Sequence, residues 1–467
     1  MNTAKVIPIY KSGDTVCLYY DRPISLLSSF SKVFERVVYN KLVSFLNVNN
    51  ILYKHQYGFR PKHNTMHPLI HLLNNCALAS NTAQTEYTLA VLCDLSKAFD
   101  VIDHNILLHK LNLYGIRGVA LEWVKDYLTD RKQYVRINQT DSLRKNILIG
   151  VPQGSILGPL LFLIYVNDIQ YSCNANLLSF ADDTTVYLND SNYDRLFQKA
   201  NSSMAELFNW FCANKLFLNA SKTKFLVIKQ TCRQAQPAHL KLIINEKKIE
   251  QVGNGLSTES TQFLGIHLDE RLTWKSQLKH LNSKISRTIF SINQVKNTLP
   301  QHCLLYLYQS LIQPLLMYGI LAWGNASKSA LDKTIRLQKR GIRVVNRAQY
   351  KSHTEPLFKN SSVLKVNDIY EQQVVLFVLD YVQGRLPSSF NNVFLFNSDL
   401  NTEHRTRQSK LMHVPKGRTC FCAKLPYFNY PRIWNKWCFL ITDNISRKAL
   451  KNLIQDHILA NYDKHVS

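Results

Sequence analysis

The segment Phe180-Ala181-Asp182-Asp183-Thr184 sets two acids between apolar runs at 177–181 and 184–188. Neighbouring carboxylates at the end of a buried strand repel each other and lose hydration, which costs several kcal/mol per uncompensated ion. A divalent cation removes the difficulty, because Mg²⁺ takes oxygen ligands and is commonly held by one or two carboxylates together with substrate phosphates. Another apolar run, 87–93, ends in Asp94. If the runs lie side by side, three carboxylates can hold two ions roughly 3.5–4 Å apart, one activating an attacking hydroxyl and the other stabilising a leaving pyrophosphate oxygen. A solvated hairpin turn that happens to carry two acids is the plain alternative.

The elements that must position these acids are legible around them. The 87–93 and 177–188 runs read as buried strands with carboxylates at their ends. Gly150-Val151-Pro152-Gln153-Gly154-Ser155-Ile156-Leu157-Gly158-Pro159 reads as a turn into the apolar segment 160–166, its glycines letting a substrate approach the backbone and Gln153 supplying an amide. Leu26, Leu27, Phe30, Val33, Phe34, Val37, Val38, Leu42, Phe45 and Leu46 recur at helical spacing, predicting an amphipathic helix over 26–46 entered through Pro23 and Ser25. Residues 229–262 are polar, contain Gly253 and Gly255, and predict a loop or hairpin insertion.

Composition bounds the partners. The 467 residues carry 57 Lys+Arg against 32 Asp+Glu, a net charge of +25, and are 46% hydrophobic, enough for real cores. Residues 271–350 hold thirteen Lys and Arg against Asp332 alone, nearly half of the net charge. There Leu278, Leu281, Ile285, Ile289 and Ile292 recur at helical spacing, as do Leu331, Ile335, Ile342 and Val345, with cations on the other faces. Such one-sided charge points to a polyanion such as nucleic acid. No apolar stretch approaches the roughly 18 residues of a membrane span, and the N-terminus lacks a signal-peptide core, so an intracellular protein of the nucleus or cytoplasm with free thiols is expected. Cys420, Cys422, Cys438 and His457 match no zinc spacing. Between Arg405 and Lys436, Phe421, Tyr427, Phe428, Tyr430 and Trp434 alternate with cations, which suits single-strand stacking or a small core equally.

In this order, the segments at Asp94–Asp100, Gly150–Pro159 and Phe180–Thr184 resemble the A, B and C motifs of reverse transcriptases, most closely the jockey-like polymerases of non-LTR (LINE-type) retrotransposons. The resemblance runs from about Arg22 to Asn346. It implies an α+β right-hand polymerase: fingers and palm over 1–270, with an antiparallel sheet packed on helices, a helical thumb over 271–350 and a small basic C-terminal domain over 351–467. It further implies that Asp94, Asp182 and Asp183 bind two Mg²⁺ ions with the Leu95 carbonyl. Phe99 falls at the steric gate that excludes a ribose 2′-OH, where the alternative is a core aromatic. Gln153 and Gly154 pack against the incoming nucleotide, and Arg60, in Gln56-Tyr57-Gly58-Phe59-Arg60-Pro61, clamps the triphosphate. Lys222, in Asn219-Ala220-Ser221-Lys222-Thr223-Lys224, is the candidate general acid or a plain exposed lysine. Phe263-Leu264-Gly265-Ile266 is similar to the primer-grip turn, and Tyr318–Gly324 and Arg405-Thr406-Arg407 are landmarks without an assigned role.

The implied activity is RNA-directed DNA synthesis, with an RNA template, a DNA primer, deoxynucleoside triphosphates and no membrane. The second expectation is a truncated, catalytically idle nucleic-acid-binding remnant. Such elements usually encode an endonuclease ahead of the polymerase, and only about twenty residues precede Arg22. A separate endonuclease is therefore the expected source of a nick.

Overall fold

The computed structural model describes residues 3–11, 21–82, 87–229, 237, 239–256, 258–400, 411–442 and 444–462. The Arg405–Arg407 landmark lies outside them. Strand β1 (Thr3–Tyr10) pairs antiparallel with β2 (Asp21–Leu26) and parallel with the strand Lys132–Ile137, forming a sheet at the N-terminal side. Pro23 and Ser25, expected to open a helix, instead lie in β2. Helix α1 (Ser29–Val48) starts later because the Ser28 side chain accepts the Ser31 N–H at its N-terminus.

Helix α1 also buries a different face from the one its apolar stripe suggests. Phe30, Val33, Phe34 and Val37 are exposed, whereas Glu35, Leu42 and Leu46 are buried. Only the side that meets helix α3 (Leu157–Tyr165) is covered, and the first half of the stripe points away from that contact. Between them in sequence come α2 (Met66–Asn81) and β3 (Tyr87–Cys93).

Among the described residues the central sheet has five strands. Its order is β7 (Glu250–Val252), β6 (Lys224–Lys229), β3, β5 (Asp183–Asp190), β4 (Asn176–Phe180), antiparallel except for the β6–β7 pair. Strand β7 comes from the polar 229–262 region, so that insertion is partly an edge of the sheet. Side chains alternate faces along a strand, and both faces here are covered. Leu89, Val91 and Cys93 enter one core with Phe162, Phe197 and Leu207, while Ala90, Leu226 and Ile228 enter the other with α2 and the later helices. This explains why the β3 sequence is apolar throughout rather than alternating. Helix α4 (Tyr193–Ala213) closes the first core: Leu196, Ala200, Met204, Leu207 and Phe211 recur every turn and are fully buried, each larger side chain contributing about 1.5–3 kcal/mol.

The chain then forms a hairpin, β8 (Thr261–Phe263) with β9 (Ile266–Leu268), and long helices α5 (Lys275–Val295) and α6 (Lys328–Val345) that pack on each other. Leu278, Leu281, Ile285, Ile289, Ile292, Leu331, Ile342 and Val345 face inward, whereas Phe290, Lys275, Lys279, Lys284, Arg287, Lys333, Arg336 and Arg340 are exposed. Helices α7 (Val366–Val382), α8 (Pro426–Trp437) and α9 (Arg447–Asn461) follow. Phe428, Tyr430 and Trp434 are buried against α7, so these aromatics form core and present no stacking faces. Cys422 is buried too, and the described cysteines are free thiols. Among the described residues no helix is long and apolar enough to cross a membrane. The antiparallel sheet with helical layers places the chain in the α+β class.

Candidate active site

Strand register brings the acids together. Cys93 pairs with Thr184 and Leu92 with Thr185, so Asp94 leaves β3 level with Asp183. Phe180 pairs with Asp183, leaving Ala181 and Asp182 as the turn between β4 and β5. Tight two-residue turns need positive φ, and Ala181 takes φ 58°. For a residue with a Cβ that conformation costs about 1–2 kcal/mol.

Asp182 and Asp183 both lie within reach of the Asp94 charge. Asp182 is raised above the usual carboxylate range, chiefly by lost hydration and also by the charge of Asp94, while Lys11 and Arg22 pull it back. Asp183 is pushed up to about 6 by lost hydration, then by Asp182 and Asp94. Its side chain stays accessible, so crowding by surrounding chain rather than full enclosure is what thins its hydration. Mutually repelling oxygen donors at an open edge suit a hard divalent cation. Among the described residues no three His, Cys, Asp or Glu side chains close into a ready metal cage.

Other expected residues gather around this edge. Asp94 is fixed by its main chain: its carbonyl accepts the Asn219 N–H at 2.8 Å, and its N–H reaches Thr223 Oγ1 at 3.3 Å. The loop carrying Lys222 is thus tied to Asp94, with the Lys222 side chain exposed. Leu95 is buried and pairs with Leu218. Phe99 is half-buried, stacks on Phe162 at 4.7 Å and meets Phe59 edge-on at 5.9 Å. Its carbonyl accepts the Val151 N–H at 2.9 Å, which joins the 150–159 turn to the Asp94 segment. Gln153 donates to Asp100 Oδ1 at 2.8 Å, and its carbonyl accepts the Ser25 N–H at 2.7 Å. Gly154 has φ 118°, and a Cβ there would lie 2.7 Å from the Ser25 carbonyl oxygen, so no side chain fits.

Arg60 is tied to its own loop through Nη1. Its guanidinium is partly buried and donates to the Tyr53 carbonyl at 2.8 Å and the Gln56 carbonyl at 3.4 Å. The cations whose charge reaches the acids are Lys11 and Arg22. Strand β1 pairs with β2 beside them, Tyr10 against Asp21 and Ile9 against Arg22. Glu35 was hidden in an apolar stripe: its Oε2 accepts the N–H groups of Ile156 at 2.6 Å and Leu157 at 3.3 Å, capping α3 from another helix. The Phe263–Ile266 turn is braced by Tyr318, whose hydroxyl donates to the Leu264 carbonyl at 2.6 Å.

Two acids at a strand-end hairpin, level with a third acid leaving the neighbouring strand and joined through Phe99 to a Gly-rich turn, form the palm arrangement of a template-directed nucleotide polymerase. Residues 19–268 match the reverse transcriptase (RNA-dependent DNA polymerase) family, more than half of the chain, and the protein belongs to that family. Membership implies dependence on a divalent metal. The chain is 29% identical over 348 residues to the probable RNA-directed DNA polymerase from transposon BS of Drosophila melanogaster, covering 70% of this chain and 36% of that protein. It is 28% identical over 381 residues to the RNA-directed DNA polymerase from mobile element jockey of the same species, covering 78% and 40%. It therefore spans about two-fifths of the length of these curated relatives. Among solved structures, apo telomerase from Candida tropicalis overlaps with a TM-score of 0.39 at 15% identity, covering 77% of this chain and 66% of that one.

Proposed function

We propose that the protein is an RNA-directed DNA polymerase of a non-LTR retrotransposon, extending a primer 3′-OH with deoxynucleotides on an RNA template. The observation that carries this reading is the convergence of Asp94, Asp182 and Asp183 at one sheet edge, where lost hydration, and after it the charges of Asp182 and Asp94, push Asp183 up to about 6. Two Mg²⁺ ions, held by these carboxylates and the Leu95 carbonyl, would supply activation of the primer hydroxyl and stabilisation of the departing pyrophosphate. The chain's own groups orient the reactants. Gln153 and the bare backbone at Gly154 form the floor for the incoming nucleotide, Phe99 stands where the sugar edge passes, and Lys222 serves as proton donor to the leaving group. Lys11 and Arg22 supply the positive charge nearest the phosphates, with Arg60 holding the loop behind them. Residues 271–350 act as the thumb and 351–467 as a C-terminal domain.

The test is primer extension on an RNA template with Mg²⁺. Asp182→Asn is expected to lower kcat by about 1,000-fold, the loss of about 4 kcal/mol of transition-state stabilisation. Parental extension by this variant would refute the metal assignment. Salt-sensitive RNA binding by the parent without any extension would instead favour the idle remnant.

A further inference from the structure

The catalytic hairpin sits at the open edge of the central sheet, and β4 is the edge strand. That edge is covered by residues 55–58. Gln56 forms a parallel bridge with Ser179, the Tyr57 N–H donates to the Ser179 carbonyl at 2.8 Å, and the Ser179 N–H donates to the His55 carbonyl at 3.0 Å. The segment therefore runs as an added strand up to the turn. At the turn, backbone pairing gives way to a side chain. Gln56 is 4% exposed, and its Oε1 accepts the N–H groups of Ala181 at 2.9 Å and Gly58 at 2.8 Å, while Nε2 reaches the Ala181 carbonyl at 3.4 Å. One amide thus addresses both polar groups of the residue that carries positive φ immediately before Asp182.

Two further observations make this contact specific. A Cβ on Gly58 would lie 2.2 Å from the Ala181 nitrogen, so the segment approaches the turn as closely as a chain can. The segment is also anchored behind: Tyr57 is 1% exposed and its hydroxyl donates to Ser389 Oγ at 3.0 Å, and Arg60 holds the Tyr53 and Gln56 carbonyls. Ala181 is 7% exposed, so loss of the Gln56 amide would leave its N–H without its side-chain partner in a largely buried position and would disfavour the positive-φ turn.

We propose that Gln56 is a positioning residue of the polymerase site: its amide holds the Ala181 peptide in the left-handed conformation that presents Asp182 and Asp183 together. The proposal rests on the polymerase reading above. Gln56 touches no substrate, so its removal should act through the acids, and groups that orient metal ligands typically contribute about 10–100-fold in metal affinity or activity.

The experiment compares the full chain with Gln56→Met, which keeps length and loses both hydrogen-bonding ends, and Gln56→Glu, which keeps the acceptor oxygen. Steady-state extension, the Mg²⁺ midpoint, primer–template affinity without metal, and melting are measured for each. For Gln56→Met the expectation is a kcat about 10–100-fold lower and a Mg²⁺ midpoint raised several-fold, with primer–template affinity within about twofold. Gln56→Glu is expected to recover part of the kcat lost by Gln56→Met. The proposal is overturned if a folded Gln56→Met keeps the parental kcat and Mg²⁺ midpoint. Should Gln56→Met fail to fold, Gln56→Glu decides: a raised Mg²⁺ midpoint with intact primer–template affinity supports the proposal, and a parental midpoint overturns it. If the parent itself does not extend primers, the polymerase reading has failed, which the parental lane reports separately.

Discussion

Asp183 carries a measurable conflict between stability and function. Its folded pKa of about 6 lies above the ordinary carboxylate value of about 3.9, so the folded chain binds the extra proton between these limits. Stability from this group is therefore full below about pH 4 and lost as pH rises through about 6. Asp183→Asn should raise the melting temperature of the chelator-treated protein at pH 7.5, with the difference from the parent vanishing near pH 4, even as extension is abolished. Equal melting at both pH values would contradict the repulsion. Phe99 offers a second residue-level prediction. Truncation to Ala removes the ring that stacks on Phe162 and should increase ribonucleotide incorporation about 10-fold or more relative to deoxynucleotides. If sugar selectivity is unchanged, Phe99 is core alone.

Among the elements, α1 and α3 show how a buried charge can supplement a local cap. Ser155 Oγ accepts the Gly158 N–H at 2.9 Å, and Glu35 of α1 accepts the N–H groups of Ile156 and Leu157 that Ser155 leaves over. Nearby Tyr127 feels both Glu35 and Arg131, and Arg131 is 3% exposed with its guanidinium stacked over Tyr127. Glu35→Ala removes the charge-assisted bonds and leaves Arg131 buried with less compensation, so a loss of about 2–4 kcal/mol is expected in urea unfolding. Glu35→Gln, which still accepts, should cost less. A loss under about 0.5 kcal/mol for Glu35→Ala would show that the helix end is satisfied without it. The start of α1 was misjudged from sequence for a related reason: Pro23 and Ser25 are good helix openers, but pairing of β2 with β1 takes them first.

At the scale of the whole molecule, the charge is sorted by face. The cations of α5 and α6 are exposed while their buried apolar residues join a core that continues into α7, α8 and α9. If this face tracks a nucleic-acid backbone, the double variant Lys279→Gln, Lys284→Gln should lower the slope of log affinity against log salt by about 1.4–1.8, at 0.7–0.9 per phosphate contact. An unchanged slope would move the backbone path off α5. The same continuous core takes Phe428, Tyr430 and Trp434, and sequence left core and stacking equally open for them because interleaved cations and rings look alike whether the rings face solvent or pack on α7.

Strand-end acids, the Gly-rich turn and the helical cation stripes were all readable in the chain, because each rests on local spacing that sterics translate directly into strand, turn or helix. The family and its fold followed from their order. Which groups serve those acids was not readable. Gln56 meets Ala181 across 125 residues, Glu35 meets Ile156 across 121, and Arg60 turns to the Tyr53 carbonyl rather than outward. Hydrogen bonds between distant segments depend on sheet register and helix docking, and a side chain's local sequence carries no record of what the fold will bring beside it.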